Sequence, residues 1–391
     1  MKFLLYNPAK FLDASRFKDW RYSFIPNIFG NIYLWLFLFN IPVSIRAISL
    51  LFCSLITSIG FAALGYFINE YFDKEDDSLA GKPNKLLLLK HSLQYWLLLI
   101  ILAFAFTPWI FLPKDNFTYA LMLSQLVLFL LYSAPPFRLK KNWLIATIID
   151  ALYAYVFPFI LSSYTYYLFS PEIPHVSASY LVWITYVIIL FFVGVRNITI
   201  HNINDIFNDK KIGISTLPRR LGVNKTDTCL RTSIYIELLL SAVLCCLLFT
   251  QSMLLGCGVI LVFYQMLNYQ KNLSVLPTKK LVNQSLRHTP DYLFQFLFPV
   301  LFLSNLVFHE PLWSFLIILH VLLFIPTSTY KPLISFLIRL KIRFHKLRIE
   351  LKHILSLVIN YSIYFGFLLF GVNLIKERKS AWQYIKNKLT P

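Results

Sequence analysis

Apolar stretches of about 20 residues, each long enough to cross a bilayer as a helix, recur along almost the whole chain. Short clusters of charge, Pro and Asn separate them. The pattern predicts spans near 28–44, 47–69, 92–113, 117–134, 144–168, 176–201, 229–249, 251–268, 292–308, 310–328 and 355–375. Strands of about ten residues alternating in polarity, the signature of a membrane β-barrel, are missing from the pattern. The expected fold class is all-α: a polytopic membrane protein built as a nine-span helical bundle, with one or two extra spans at its C-terminus.

Composition agrees. Apolar types make up 58% of the 391 residues and charged types 14%, where a soluble domain carries about a quarter charged. That excludes a soluble globular enzyme, and so apolar a chain is not disordered either. The net charge of +19 would suggest nucleic acid in a soluble protein, but here it reads as basic residues on cytosolic loops facing anionic lipid, with no nucleic-acid partner. With the N-terminus in the cytosol, the inner loops carry nearly all the loop Lys and Arg before residue 311. The outer turns carry Arg46 and Lys114. The expected location is the inner cell membrane, multi-pass, with the N-terminus cytosolic. Lys2, four apolar residues and Asn7-Pro8 do not make a cleavable signal peptide. Cys53, Cys229, Cys245, Cys246 and Cys257 lack C-x-x-C spacing and read as packing residues.

Three regions follow. Residues 1–27 mix aromatic and basic types, as in an amphipathic segment lying on the inner surface. Residues 28–308 form the membrane domain. Residues 309–391 are an extension with one or two hydrophobic segments and a basic interfacial piece at 331–352, where Leu337, Leu340, Phe344, Leu347 and Leu351 keep helical spacing. All the candidate chemistry precedes residue 220, so a chain ending near Glu310 is expected to remain active.

The chemistry is signalled by where the scarce acids fall. Five of the 18 carboxylates, Glu70, Asp73, Glu75, Asp76 and Asp77, crowd the inner end of the second span. A solvated acidic loop is the plain explanation. Two facts argue against it. Asn69, Asp73 and Asp77 are spaced i, i+4, i+8, which places them on one helical face. The pattern D-x-x-x-D-x-x-x-G also occurs twice, as Asp73, Asp77, Gly81 and as Asp205, Asp209, Gly213 at the end of the sixth span. Both copies emerge on the cytosolic side. Two facing carboxylate pairs ringed by Lys and Arg suit Mg²⁺, which takes oxygen ligands, keeps waters and bridges carboxylates to phosphates. After the fourth span, Pro135-Pro136 stop a helix, and Arg138, Lys140 and Lys141 stand at headgroup level in a short exposed loop. Asp150 and Arg196 fall inside spans, where ionisable groups are functional candidates or a structural pair.

These motifs resemble those of the UbiA-type intramembrane prenyltransferases, whose members show N-D-x-x-D-x-x-x-D and then D-x-x-D-x-x-G-D-x-x-x-G-x-x-T-L-P. The chain reads N-E-Y-F-D-K-E-D-D from Asn69 and N-I-N-D-I-F-N-D-K-K-I-G-I-S-T-L-P from Asn202. Its Y-S-A-P-P-F-R-L-K string resembles a loop of chlorophyll synthases and homogentisate prenyltransferases. Glu70 replaces the usual Asp, Asn202 stands where an acid is common, and Asn208 replaces Gly.

The resemblance implies Mg²⁺-dependent transfer of an isoprenyl chain from a polyprenyl diphosphate to a lipophilic, often aromatic, acceptor. Asn69, Asp73, Asp77, Asp205 and Asp209 would be the metal ligands, and the four aspartates the catalytic groups. Arg138, Lys140, Tyr132, Asp150 and Arg196 are the expected substrate contacts. Two rival readings stand beside it: a phosphoribosyl-type transfer onto a polyprenyl phosphate, and a cation transporter. The transporter fits less well, because the acids sit at the membrane surface rather than near its midplane.

Overall fold

The computed structural model describes residues 8–170, 177–249 and 293–324, together with 258 and 262. By contacts the chain divides into one unit over 1–325 and a second over 326–391. The second unit, the expected interfacial piece at 331–352 and span at 355–375, and most of the expected span at 251–268 lie outside the described residues.

Among the described residues all regular secondary structure is helical. The chain enters through α1 (Pro8–Ala14) and α2 (Phe17–Leu38), then runs along α3 (Ile45–Phe72) into a short α4 (Lys74–Ala80). After α5 (His91–Phe106) and α6 (Asn116–Ser133) comes one long rod, α7 (Trp143–Ala151), a π-turn at Leu152–Val156 and α8 (Phe157–Phe169). The second half repeats the long-then-short arrangement with α9 (Ser177–Asn204) and α10 (Ile206–Lys211). Then follow α11 (Leu217–Leu221), α12 (Val223–Phe249), α13 (Phe298–His309) and α14 (Phe315–Phe324).

Six helical stretches among the described residues are long and apolar enough to cross a membrane: Ile45–Phe72, His91–Ile110, Asn116–Ser133, Trp143–Phe169, Tyr180–Asn204 and Val223–Phe249. Phe24–Leu38, Phe298–His309 and Pro311–His320 are shorter apolar helices. This is an all-helical membrane protein. At 28 residues each, α3 and α9 are about 42 Å long, beyond the roughly 30 Å of a hydrocarbon core. Their acidic ends can therefore project into the aqueous interface.

Helix starts follow side-chain capping. Ser44 accepts from the Ala47 amide at the head of α3. Asp115 and Thr118 form a reciprocal capping box on α6, and Asn142 accepts from the Leu144 and Ile145 amides to start α7. The core centres on α2, whose Phe29, Ile32, Tyr33 and Leu34 are fully buried. Gly194 lets α9 press directly on α7: a Cβ there would lie 2.6 Å from the Ala151 backbone.

Packing contacts cross both expected region boundaries. Helix α2 runs unbroken through the 27/28 division. Ala14 and Trp20 are buried in a satellite core with Leu64, Phe67, Leu86 and Leu97, so this segment packs on the bundle. At the other end, Trp313 is fully buried and donates to the Ile41 carbonyl (3.1 Å), while His320 meets the Tyr33 hydroxyl at 3.4 Å. Residues 309–324 thus belong to the bundle. A chain ending at Ile325 is expected to insert and keep activity. One ending at Glu310 loses Trp313, and burial of a Trp side chain is worth about 3–5 kcal/mol. Equal melting temperatures for the two in detergent would return the boundary to 308.

Candidate active site

The sequence repeat is also a geometric repeat. Helix α3 breaks at Asp73 (φ −95°, ψ 0°) and α9 breaks at Asp205 (φ −94°, ψ 6°). Before each break the Asp amide bonds four residues back, Asp73 to Asn69 and Asp205 to His201, both at 3.0 Å. After it, the Asp77 amide reaches the Asp73 carbonyl (2.8 Å) and the Asp209 amide the Asp205 carbonyl (2.9 Å). Gly81 (φ 69°) and Gly213 (φ 73°) then turn the chain in the left-handed conformation that glycine adopts readily. The glycine in D-x-x-x-D-x-x-x-G is thus the residue that closes the short helix of each motif with a left-handed turn. The expected unbroken helix through Asp77 is kinked, yet Asn69, Asp73 and Asp77 still face the same way.

They face one cleft, which Asp205 and Asp209 also line. Its free volume is about 100 Å³, several times the roughly 10–15 Å³ that one water needs, so it admits an ion with its waters. Two bonds join the motifs across it. Lys82 Nζ reaches Asp205 Oδ2 at 2.8 Å, and Lys211 Nζ donates to the Ala80 carbonyl at 3.0 Å.

Ser133 and Lys140, from the Y-S-A-P-P-F-R-L-K stretch, both donate to Asn69 Oδ1, at 3.1 and 3.3 Å. Lys140 also pairs with Asp73, and Arg138 spans Asp73 (3.2 Å), Asp76 (2.8 Å) and the Phe72 carbonyl (3.0 Å). The loop is exposed as expected at Pro135, Pro136, Phe137 and Lys141, but Arg138 and Lys140 turn inward. Lys140 is only 8% exposed, because the acids draw both cations inward. Tyr132 lines the cleft as expected.

Two expected contacts lie elsewhere. Arg196 is a buried structural partner: its Nε donates to both Glu237 oxygens (2.9 and 3.1 Å) and ties α9 to α12. Asp150 does not line the cleft. It accepts a 2.6 Å bond from the Tyr153 hydroxyl.

Arg16 and Asn84 also reach the site and carry no sequence signal of their own, whereas Glu70 is visible as one of the clustered acids. Arg16, at the α1–α2 junction, lines the cleft, bonds Glu70 Oε1 (3.1 Å) and lies over the Tyr66 ring. Glu70 Oε2 accepts the Lys85 amide (2.9 Å), which makes Glu70 a buried brace. Asn84 clamps the Glu70 carbonyl (2.8 Å) and Asp77 Oδ2 (2.9 Å).

Charge is unevenly balanced. Burial raises the Asp205 carboxyl, but the Lys82 bond and the His201 and Lys82 charges outweigh it and hold it below its usual range. Burial pushes Asp209 up to about 6; the Asp205 charge adds to this, while the Lys82 and Arg219 charges oppose it. Asp77 is raised by burial and by Asp73. Burial lowers the Lys140 ammonium, and Asp73 partly restores it. Asp209 Oδ2 is buried without a hydrogen bond among the described residues. Among those residues no three carboxylates, imidazoles or thiols converge to enclose an ion unaided. The donors that could hold one are the oxygens of Asn69, Asp73, Asp77, Asp205 and Asp209, two or three from each side. Such a set suits Mg²⁺, which needs only one or two carboxylates when water and phosphate supply the rest. Asp209 Oδ2, buried without a hydrogen bond among the described residues, is one of the oxygens that could serve in such a set.

Duplicated acidic motifs over one basic-rimmed cleft, at the ends of long membrane helices, define an intramembrane enzyme that handles anionic groups. Residues 32–288 match the model of the UbiA prenyltransferase family, and the chain belongs to that family; it is a prenyltransferase. Solved structures similar in fold include a UbiA homolog from Archaeoglobus fulgidus bound to DMAPP and Mg²⁺ (19% identity, TM-score 0.52, covering 76% of this chain and 99% of that one). The same homolog bound to GPP and Mg²⁺ gives 18%, 0.52, 76% and 99%. An apo UbiA homolog from Aeropyrum pernix K1 gives 13%, 0.50, 73% and 97%. No curated protein sequence matches significantly.

Proposed function

We propose that the protein transfers an isoprenyl chain from a polyprenyl diphosphate to a lipophilic aromatic acceptor, with Mg²⁺, at the cytosolic face of a nine-span bundle. The observation that carries this reading is the facing of Asp73 and Asp77 with Asp205 and Asp209 across one cleft with lysines between them. Asn69, Asp73, Asp77, Asp205 and Asp209 would hold the metal, which when bound draws charge from the leaving diphosphate. The A. fulgidus homolog binds prenyl diphosphates together with Mg²⁺, in keeping with that assignment.

The chain's own groups do the rest. Lys82, Lys140 and Arg138, now turned to carboxylates, have donors to offer phosphate oxygens in charge-assisted bonds. The allylic end of the donor lies on the bilayer side of its phosphates. There the Tyr132 face can stabilise developing positive charge, and the apolar bundle keeps water away. The tail runs out between helices into lipid.

The test uses the purified full chain and geranyl diphosphate as probe. Mg²⁺ is expected to tighten binding at least about tenfold, the lower end of what metal-site changes produce, and excess chelator to reverse it. Binding indifferent to Mg²⁺ would remove the metal-bridged site.

A further inference from the structure

An intramembrane carboxylate is costly and is normally matched by a cation or a full set of hydrogen bonds. Asp150 is matched by half. Its Oδ1 takes the Tyr153 hydroxyl at 2.6 Å. Its Oδ2 makes no hydrogen bond among the described residues. The cation inside the neighbouring span α9, Arg196, is committed to Glu237. Asp150 stays partly accessible.

Its place on α7 gives that accessibility meaning. Trp143 and Ala146 line the diphosphate cleft, and with Asp150 they fall at i, i+3 and i+7, one stripe of the helix. Asp150 therefore sits about 6 Å beyond Ala146 along the axis, on the bilayer side of the cleft. From α6, Tyr132 lines the cleft and meets the Tyr153 ring edge-on, with centroids 5.3 Å apart. Phe129 braces Tyr153 from α6 at 5.0 Å. The π-turn at Leu152–Val156 presents this tyrosine, and such turns often mark functional sites.

The geometry points to Asp150, Tyr153 and Tyr132 as an acceptor subsite for a hydroxyl-bearing aromatic lipid, with Asp150 Oδ2 taking the acceptor's proton. This rests on the prenyl-transfer reading above and extends it to the second substrate. The balance is simple. The acceptor's nucleophilic atom forms a bond to C1 of the donor. The bond from C1 to the diphosphate oxygen breaks, its electron pair leaving with the diphosphate. The hydroxyl proton passes to Asp150. The Tyr153 hydroxyl bond holds the carboxylate so that Oδ2, not Oδ1, is presented. An aromatic acceptor suits the two tyrosine rings, and positioning by an aligned base is worth about 10²–10⁴-fold in rate.

The test uses a host lacking the gene, complemented with the full chain or its variants, because its membranes contain the native acceptor. Two quantities are read: Mg²⁺-dependent binding of geranyl diphosphate to purified protein, and incorporation of labelled geranyl diphosphate into membrane lipid. Asp150→Asn is expected to bind the probe within about twofold of wild type and to lose incorporation by about 10²–10⁴-fold. Asp150→Glu should recover at least a tenth, and Tyr153→Phe should lose roughly tenfold with binding intact. Wild-type incorporation by Asp150→Asn, or donor binding that falls in step with it, overturns the subsite. If Asp150→Asn does not fold, Tyr153→Phe carries the same test, and full activity there is the overturning result. Wild-type protein that fails to bind geranyl diphosphate would instead sink the donor reading, and the subsite with it.

Discussion

Replacing Asp73 or Asp209 by asparagine is expected to abolish Mg²⁺-dependent prenyl transfer while leaving the fold intact. Each change keeps the shape of the side chain and removes one negative oxygen. At Asp73 the lost charge now faces Lys140 and Arg138. At Asp209 it includes the buried oxygen without a hydrogen bond. That difference gives the two variants opposite signatures in stability. Asp209→Asn relieves a carboxylate that burial already pushes up to about 6, so the apo protein should melt no lower than wild type. Asp73→Asn strands two inward-turned cations and should melt lower. In activity they should agree, each losing at least about 10²–10³-fold, the scale for one preorganised electrostatic group. The double variant should be hardly worse than either single one, because either change already disables a shared site. Multiplying losses in the double variant would mean that the two motifs hold separate sites.

Much of this arrangement can be read from the chain itself, and the parts that cannot share a cause. Long apolar runs set most helix positions, since burial of a whole span overrides local detail. The duplicated D-x-x-x-D-x-x-x-G is legible because a repeat in sequence imposes a repeat in backbone: both aspartates end their helices at nearly the same φ and ψ, and both glycines adopt positive φ. What escapes is any contact made between distant segments. Arg16 is one of several basic residues before the first span, and no spacing ties it to Glu70, 54 positions on. Glu237 looks like an isolated acid in the seventh span until α12 lies beside α9, and only then does Arg196 become a structural residue. Helical spacing also misjudges Asp76. By period it leaves the face of Asn69, Asp73 and Asp77, but the break at Asp73 swings α4 until Asp76 meets Arg138 at 2.8 Å.

That contact carries the second large expected effect. In a wholly solvated acidic loop, Glu75 and Asp76 would be equivalent neighbours. In the structure Glu75 is exposed, whereas Asp76 and Asp73 together hold the Arg138 guanidinium. Glu75→Gln should therefore change stability by less than about 0.5 kcal/mol and leave kinetics alone. Asp76→Asn frees one side of Arg138 and should raise the KM for donor severalfold with little change in kcat. The cations themselves should matter more. A hydrogen bond to a charged group contributes about 1.5–3 kcal/mol, so Lys140→Met should lower kcat/KM for donor roughly 10- to 100-fold. It should also lower the melting temperature, because it leaves Asp73 half-compensated in a buried setting. Arg138→Lys separates charge from shape. A lysine keeps the charge but is one atom shorter than the guanidinium, whose single nitrogen Nη2 reaches Asp73, Asp76 and the Phe72 carbonyl together. Its kcat/KM should fall nearly as far as that of Arg138→Ala. If Arg138→Lys were fully active and Asp76→Asn silent, the loop would act only as diffuse positive charge. The bridging geometry would then have no part in donor binding.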